Sequence, residues 1–166
     1  MPRRLILAAL CSVLPALLPA AGAGAAEIAI RDAYARASGP QAVSGAGFMV
    51  IENAGTAADR LIGATSPAAE RVELHGHDQG PDGVMRMRRI EDGIEIPAGG
   101  GHALARGGDH LMFLGLRRPF APGDTVPVTL RFETAGEIGI EMPVDPDRLP
   151  ADTSHGARHG GGAAAN

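Results

Sequence analysis

The sequence predicts an all-β domain, built as a β-sandwich or a Greek-key barrel. Short segments such as 126–132 and 138–144 alternate apolar and polar residues, and turn sequences rich in Gly, Pro and Asp separate them. No segment carries a sustained apolar repeat of helical period. Eight or nine short strands at this spacing are typical of such folds.

The individual strands are predicted from these alternating or apolar runs, taken in chain order: from Ile28 through Tyr34, then 48–51, 72–75, 84–90, 94–96, 110–116, 126–132 and 138–144. The run 110–116 is apolar on both faces, which indicates a central strand. Pro97 to Gly101 is interpreted as a break. His75 is expected to end its strand and to point away from the core, because it alternates with Leu74.

Residues 1–26 have the pattern of a secretory signal peptide. Arg3 and Arg4 precede an apolar run over 5–18, and small residues follow, so cleavage is expected before Ala26 or Glu27. The apolar run is too short to span a membrane as a helix. Cys11 follows a bulky leucine and only a short apolar stretch, so we interpret it as an ordinary leader residue rather than a lipid-modified one. We therefore predict a periplasmic protein that does not span the membrane after cleavage.

Removal of this leader leaves no cysteine and no lysine. All 15 basic residues are Arg and two of them lie in the leader, so 13 face 19 acidic residues, a net charge of −6. Disulfides and thiolate ligands are thereby excluded, and the charge argues against nucleic acid as a partner. Residues 27–144 are expected to form one domain, and 145–166, rich in Gly, Pro and Asp, a disordered tail with His155 and His159.

The segment from His75 to Met112 concentrates the potential metal ligands, with four of the six histidines and three of the six methionines. His110 and Met112 stand two apart on a strand and therefore share a face, and so do Met85 and Met87. Imidazole binds copper in both oxidation states, and thioether sulfur selects Cu(I). Each of these residues alone fits a core or surface role equally well. Together, in an exported chain, they favour a Cu(I) site.

Other classes of protein fit the sequence less well. A blue-copper electron carrier needs a cysteine ligand, and no nucleophile with a positioned base marks an enzyme, so we predict a non-enzymatic protein. The main alternative is an exported β-sandwich that serves as an interaction or adhesin-type module with incidental His and Met. Copper storage or tolerance is a further alternative. The tail histidines suggest a second, weaker Cu(II) site, which His77 could share.

The chain also resembles the PCuAC family of periplasmic copper chaperones over about residues 28–144. That family is recognised by a His, a Met about a dozen residues later and a His-x-Met motif beyond; here 11 residues separate His75 from Met87, and 22 separate Met87 from the His110–Met112 pair. Segments 33–36, 59–61, 66–69, 72–75, 83–88, 96–100 and 115–119 read like family signatures.

The resemblance implies a cupredoxin-like Greek-key β-sandwich with His75, Met87, His110 and Met112 as Cu(I) ligands. It further implies that the protein supplies copper to the CuA domain of cytochrome c oxidase subunit II, often beside a Sco-type thiol protein. The chain departs from the family pattern at Tyr34, where many relatives have Trp, and at His77, an additional histidine. Met85 could replace Met87 as a ligand.

Overall fold

Ten β-strands make up the part of the chain that the computed structural model describes, which is residues 26–80 and 82–148. They are β1 (Ile28–Ala37), β2 (Ser44–Asn53), β3 (Asp59–Thr65), β4 (Ala69–Gln79), β5 (Met85–Arg89), β6 (Ile94–Ile96), β7 (Gly100–Leu104), β8 (His110–Leu116), β9 (Thr125–Phe132) and β10 (Glu137–Pro143). Within these ranges no helix is long and apolar enough to cross a membrane.

The strands form one antiparallel sheet that curls into a nearly closed barrel. Its order is β1-β2-β8-β4-β3-β9-β10, while β5, β6 and β7 pair with β4, β3 and β2. A parallel bridge between Ala35 and Val144, with Asp145 N donating to Ala35 O at 2.9 Å, joins the two ends. The predicted all-β, cupredoxin-like fold is confirmed, and β8 is central, as its two apolar faces indicated.

The core is built by the alternation of each strand. Leu111 and Phe113 of β8 are fully buried, and they stand opposite Leu74 and Val72 of β4. Met49 and Met142 are also buried, as expected of methionines within apolar runs. The residues between these core positions leave the opposite face of the sheet. On β4 and β8 that outer face carries the polar and sulfur-containing side chains.

Two strands, β3 and β7, lie outside the segments predicted as strands, and each has a physical reason. β3 has few apolar residues, and its pairing with β9 shifts register between Leu61 and Gly63. β7 begins inside the predicted break, because Gly100 and Gly101 pair with the end of β2. A Cβ on Gly101 would lie 2.7 Å from the carbonyl oxygen of Ile51, so the absence of a side chain allows the close strand contact.

The hairpin that carries the methionines differs in one detail from the prediction. β4 does not end at His75 but continues to Gln79, so His75 stands within the strand. The turn is shorter than the predicted loop 76–83, and Gly80 N donates to Val84 O at 2.9 Å across it. The alternation continues through Gly76, and His77 is therefore on the same face as His75.

The leader and most of the tail lie outside the described residues. Cys11, His155 and His159 belong to those segments, and the predictions made for them stay predictions. The first residues of the predicted tail are described and contact β1. Arg148 pairs with Asp32 at 3.1 Å, and its guanidinium carbon lies 5.0 Å from the centroid of the Tyr34 ring.

Asp59, at the start of β3, is a buried carboxylate that holds a neighbouring turn. It is 4% exposed and accepts hydrogen bonds from the backbone nitrogens of Arg60, Thr134 and Ala135 at 2.7–2.9 Å. Burial alone would raise the pKa of Asp59, but these donors together outweigh it and lower the pKa below 3.8. The ionised carboxylate therefore stabilises the fold.

We predict that Asp59→Ala lowers the free energy of unfolding at pH 7 by about 2–4 kcal/mol, because three backbone N–H groups lose a charged acceptor. Because the folded pKa is lowered, this contribution is present above pH 3.8 and is lost as pH falls through the folded value. Urea denaturation of wild type and variant across pH measures the difference. Asp92→Ala, in an exposed turn, is the matched control; an equal loss in both would contradict the role of Asp59.

Candidate metal centre

The register between β4 and β8 brings two of the predicted ligands together on the outer face of the sheet. His75 stands directly opposite His110, and their ring centroids are 6.0 Å apart. Glu73 stands opposite Met112 in the same ladder. Directly opposite side chains on one face of an antiparallel pair are close neighbours. The predicted proximity of these histidines is therefore present in the fold.

The hairpin β4–β5 adds the third sequence segment of the site. Met87 stands opposite His77, and Met85 stands opposite Gln79, one step further along the face. Both methionines are about half exposed, at 49% and 54%. Their common face is confirmed by this register, and Met87 is the nearer of the two to the histidines along the ladder.

A groove of about 340 Å³ opens where β1, β2, β5 and β8 meet. Met87, His110 and Met112, three of the four predicted ligands, line it together with His77. Small residues of β2, Gly45 and Ala46, also line it. His75 is not among the lining residues, and its ring stands beside that of His110. The groove thus gathers two thioethers and two imidazoles at the surface.

One backbone carbonyl orients both groove-lining imidazoles. The Nδ1 atoms of His77 and His110 lie 3.1 Å and 3.0 Å from the oxygen of Gly108. A carbonyl oxygen only accepts, so each Nδ1 carries the hydrogen and donates it. In a neutral ring this leaves the Nε2 lone pair free on both histidines, which is the form that binds a metal ion.

His75 is held by a carboxylate in the opposite tautomer. Its Nε2 lies 2.9 Å from Oε2 of Glu73, and its buried Nδ1 has no hydrogen-bond partner within the described part of the chain. The hydrogen bond from His75, and then the charges of Arg89 and Arg71, lower the pKa of Glu73 against the effect of burial. A carboxylate that orients a histidine is a common support for a metal ligand. The unpaired Nδ1 is a donor atom that a bound ion would satisfy.

His110 is the most enclosed member of the group, with 3% of its surface exposed. Its ring packs 6.2 Å from that of Phe48 and 5.4 Å from that of His77, centroid to centroid. Burial lowers the pKa of His110 below 6.5, and the neighbouring His77 and His75 lower it further, against the opposing hydrogen bond to Gly108. Burial therefore favours the neutral form of His110.

The donor set fits copper. Among the described residues, no three His, Cys, Asp or Glu side chains gather into a group that could hold a metal ion, and the groove adds the thioethers of Met87 and Met112 to its two imidazoles. Neutral nitrogen and thioether donors without thiolate are the set that suits Cu(I). Sequence reasoning did not identify Glu73 or Gly108 as supports, and it gave His77 only a secondary role. The period-2 relation of His77 to His75 was the available signal.

Comparison with known proteins identifies a matching family and a protein of similar sequence. A family profile described as "Putative lipoprotein LpqE-like" matches residues 28–144. A protein of Leifsonia xyli subsp. xyli (strain CTCB07), described as "Putative lipoprotein Lxx21020", is 34% identical over 135 residues, which is 81% of this chain and 80% of that protein.

Solved PCuAC-type domains have the same fold. The copper-bound PCuAC domain from PmoF2 is 26% identical with a TM-score of 0.60, over 72% of this chain and 92% of that domain. Apo-DR1885 from Deinococcus radiodurans is 28% identical with a TM-score of 0.55, over 89% of this chain and 95% of that protein. The Cu(I) form of DR1885 is 30% identical with a TM-score of 0.52, over 71% of this chain and 79% of that protein.

We predict that the ring of His110 titrates below pH 6.5 in the metal-free protein, because burial opposes its charged form. Between pH 6.5 and that lower value the unfolded chain takes up a proton that the folded chain does not, so fold stability decreases as pH falls. An NMR titration of the histidine ring protons, assigned with His110→Gln, measures the midpoint. A midpoint at or above 6.5 would contradict the burial argument.

Proposed function

The chain belongs to the LpqE-like family, and on this premise, together with its PCuAC fold, we propose that it is a copper chaperone of the cell envelope. It binds one Cu(I) through His75, Met87, His110 and Met112 and passes the ion to a thiol-containing acceptor. The observation that carries the proposal is the meeting of two thioethers with preoriented imidazoles on one face of β4, β5 and β8. Such a set selects Cu(I) without any thiolate.

Hydrogen bonds to His75 and His110, and the positions of Met112 and Met87, support ligation by these four residues. Glu73 fixes the ring of His75 and leaves the buried Nδ1 as the donor, while Gly108 fixes the ring of His110 and leaves Nε2. In the neutral ring, each of these nitrogens carries a lone pair that can bind a cation. Met112 lies next to His110 on the same face, and Met87 reaches the groove from the hairpin. The copper-bound state of similar domains supports copper as the cargo.

Export is part of the proposal. The lipoprotein descriptions of the family and of its relative support an exported, envelope-associated protein. The pattern of residues 1–26 is that of a secretory leader, and we propose the periplasm as the compartment. In an oxidising compartment a site without cysteine binds copper without forming disulfides.

The exposure of the proposed ligands supports delivery of the copper ion to an acceptor. Met87 is about half exposed on a short hairpin strand, whereas His110 is almost fully buried. An acceptor thiolate can therefore approach the ion from the side of Met87 and replace the thioether first. Neutral ligands leave the bound ion with its positive charge, which favours transfer to anionic thiolates. We propose the CuA domain of cytochrome c oxidase subunit II, or a Sco-type thiol protein, as the acceptor, and no enzymatic activity for this chain.

Two other functions are less well supported. An interaction or adhesin-type module needs no oriented imidazoles, and the similar copper-bound domains favour the copper site over incidental His and Met. Copper storage or tolerance uses the same ligands, and it differs from delivery only in whether the ion leaves. Transfer is therefore the property that separates the two copper functions.

We predict that Met87→Ala weakens Cu(I) binding at least about tenfold, roughly 1.4 kcal/mol, because it removes a groove-lining thioether. Met85→Ala is the matched control: it lies on the same face of the same strand and is similarly exposed, but it does not line the groove. It should change the affinity less than about threefold. Anaerobic competition with a Cu(I) chelator measures both; the reverse order would move the ligand to Met85.

We also predict direct transfer of Cu(I) to a reduced CuA-domain or Sco-type dithiol acceptor. The Cu(I)-loaded protein is mixed with reduced apo acceptor, and the two are separated by anion-exchange chromatography for copper analysis. Copper should move to the acceptor faster than it is released to buffer alone. If copper stays while the same acceptor binds free Cu(I), delivery is wrong and storage is the better function.

Two arginine side chains at the groove provide a second test of copper transfer. Arg36 and Arg106 line its rim, and neither forms an ion pair within the described residues. An acceptor with acidic residues around its thiols would be drawn to this rim, most strongly at low salt. The double variant Arg36→Gln, Arg106→Gln should transfer more slowly and with weaker salt dependence, at unchanged Cu(I) affinity.

A further inference from the structure

His77 occupies a position that the ligand set His75, Met87, His110 and Met112 does not use. It lines the groove beside His110, whereas His75 does not line the groove. It also stands directly opposite Met87, the ligand that the hairpin supplies. An imidazole at this place, on the open side of the site, can reach an ion that enters the groove.

The geometry of His77 and His110 matches two ligands of one ion. Metal–imidazole nitrogen bonds are about 2.0–2.1 Å long, so the centres of two rings on one ion are about 4.5 Å apart at a right angle and about 6.4 Å apart when the rings are opposite. The observed separation is 5.4 Å. Both rings donate Nδ1–H to the same acceptor, the oxygen of Gly108, and both therefore keep Nε2 free. The pair is held in the binding tautomer before any ion arrives.

His77 could instead have only a structural role, and its hydrogen bonds distinguish the two possibilities. The hydrogen bond from His77 to Gly108 could by itself serve only to fix the loop before β8. His110, however, already donates to that oxygen at 3.0 Å, so the loop has a donor without His77. His102 shows the alternative arrangement, because its Nε2 is taken by Asp109 at 2.9 Å and it stands away from the groove. Within the described residues, only Nδ1 of His77 forms a hydrogen bond, which leaves Nε2 for a metal ion.

We propose that His77 is a further copper ligand, that it binds through Nε2 together with His110, and that it serves chiefly Cu(II). This inference rests on the proposed copper site. Imidazole suits Cu(II), whereas thioethers favour Cu(I), so a second exposed imidazole adds most to the oxidised ion. The groove is open to solvent on the side of Met87, which leaves room for the water ligands that complete a Cu(II) site. The same groove then binds copper in either oxidation state, without any redox step by the protein.

The test uses the full chain with His155→Gln and His159→Gln, so that tail imidazoles cannot contribute. Cu(II) is added, and EPR counts the nitrogen ligands from their superhyperfine couplings; Cu(II) affinity is measured by competition with a chelator. His77→Gln should remove one coupled nitrogen and weaken Cu(II) binding at least about tenfold, with Cu(I) affinity changed less than about threefold. His102→Gln is the matched control and should change neither.

Each outcome has a distinct meaning. Unchanged nitrogen count and Cu(II) affinity in His77→Gln would overturn the inference while leaving the Cu(I) site intact. Equal loss of Cu(I) and Cu(II) affinity would also overturn it, because His77 would then serve the site as a whole. If the background chain binds neither ion, the proposed function itself fails. If His77→Gln does not fold, EPR of the background chain tests the inference instead. A single coupled nitrogen in that chain would exclude His77 and His110 as joint ligands.

Discussion

The register between β4 and β8 is the constraint on which the site depends. It sets His75 opposite His110 and Glu73 opposite Met112 in one ladder. Leu74 and Leu111, the residues between them, face each other in the core and are almost completely buried. A slip of one residue would move the imidazoles inward and these leucines outward, at a large cost in buried apolar surface. The energy of the core therefore fixes the geometry of the outer face.

The orientation of the imidazoles comes from a second, polar layer. Gly108, just before β8, presents one carbonyl to His77 and His110, while Glu73 takes the Nε2 hydrogen of His75. Arg71 and Arg89 in turn contact Glu73 at 3.3 Å and 3.8 Å. These contacts favour one tautomer of each ring and leave its other nitrogen without a hydrogen. The donor atoms are thus positioned before an ion binds, which reduces the ordering that binding requires.

Much of this architecture follows from local pattern. The shared face of His110 and Met112, the buried positions of Met49 and Met142 and the central place of β8 all come from an alternation of period 2. The opposition of His75 and His110 could not be derived in this way, since it depends on pairing between distant segments. The resemblance to a known family supplied the grouping instead.

Other features lacked a local signal altogether. A glycine between two histidines suggested the end of a strand, yet β4 continues through Gly76, and this continuation puts His77 in the groove. A Cβ there would lie 2.7 Å from Oδ1 of Asp109, so the glycine serves close packing rather than a turn. The Gly108 carbonyl is a backbone group, and no residue type marks it. An aspartate such as Asp59 is ordinarily expected at the surface. It is buried here because the turn at Thr134 packs over it, a contact between distant segments.

The donors differ in burial from one side of the site to the other, and this gradient has a physical consequence. His110 is enclosed beneath Phe48 and two imidazoles, and Met112 lies beside it, while Met87 stands half exposed on the hairpin. A fully buried site would hold its ion until the fold opened, and a fully exposed one would not distinguish copper by its ligands. Here the buried side is fixed by the core, and the exposed side can exchange a ligand by rotation of one side chain. In the proposed function, binding and release of copper would therefore proceed at one site without unfolding of the barrel.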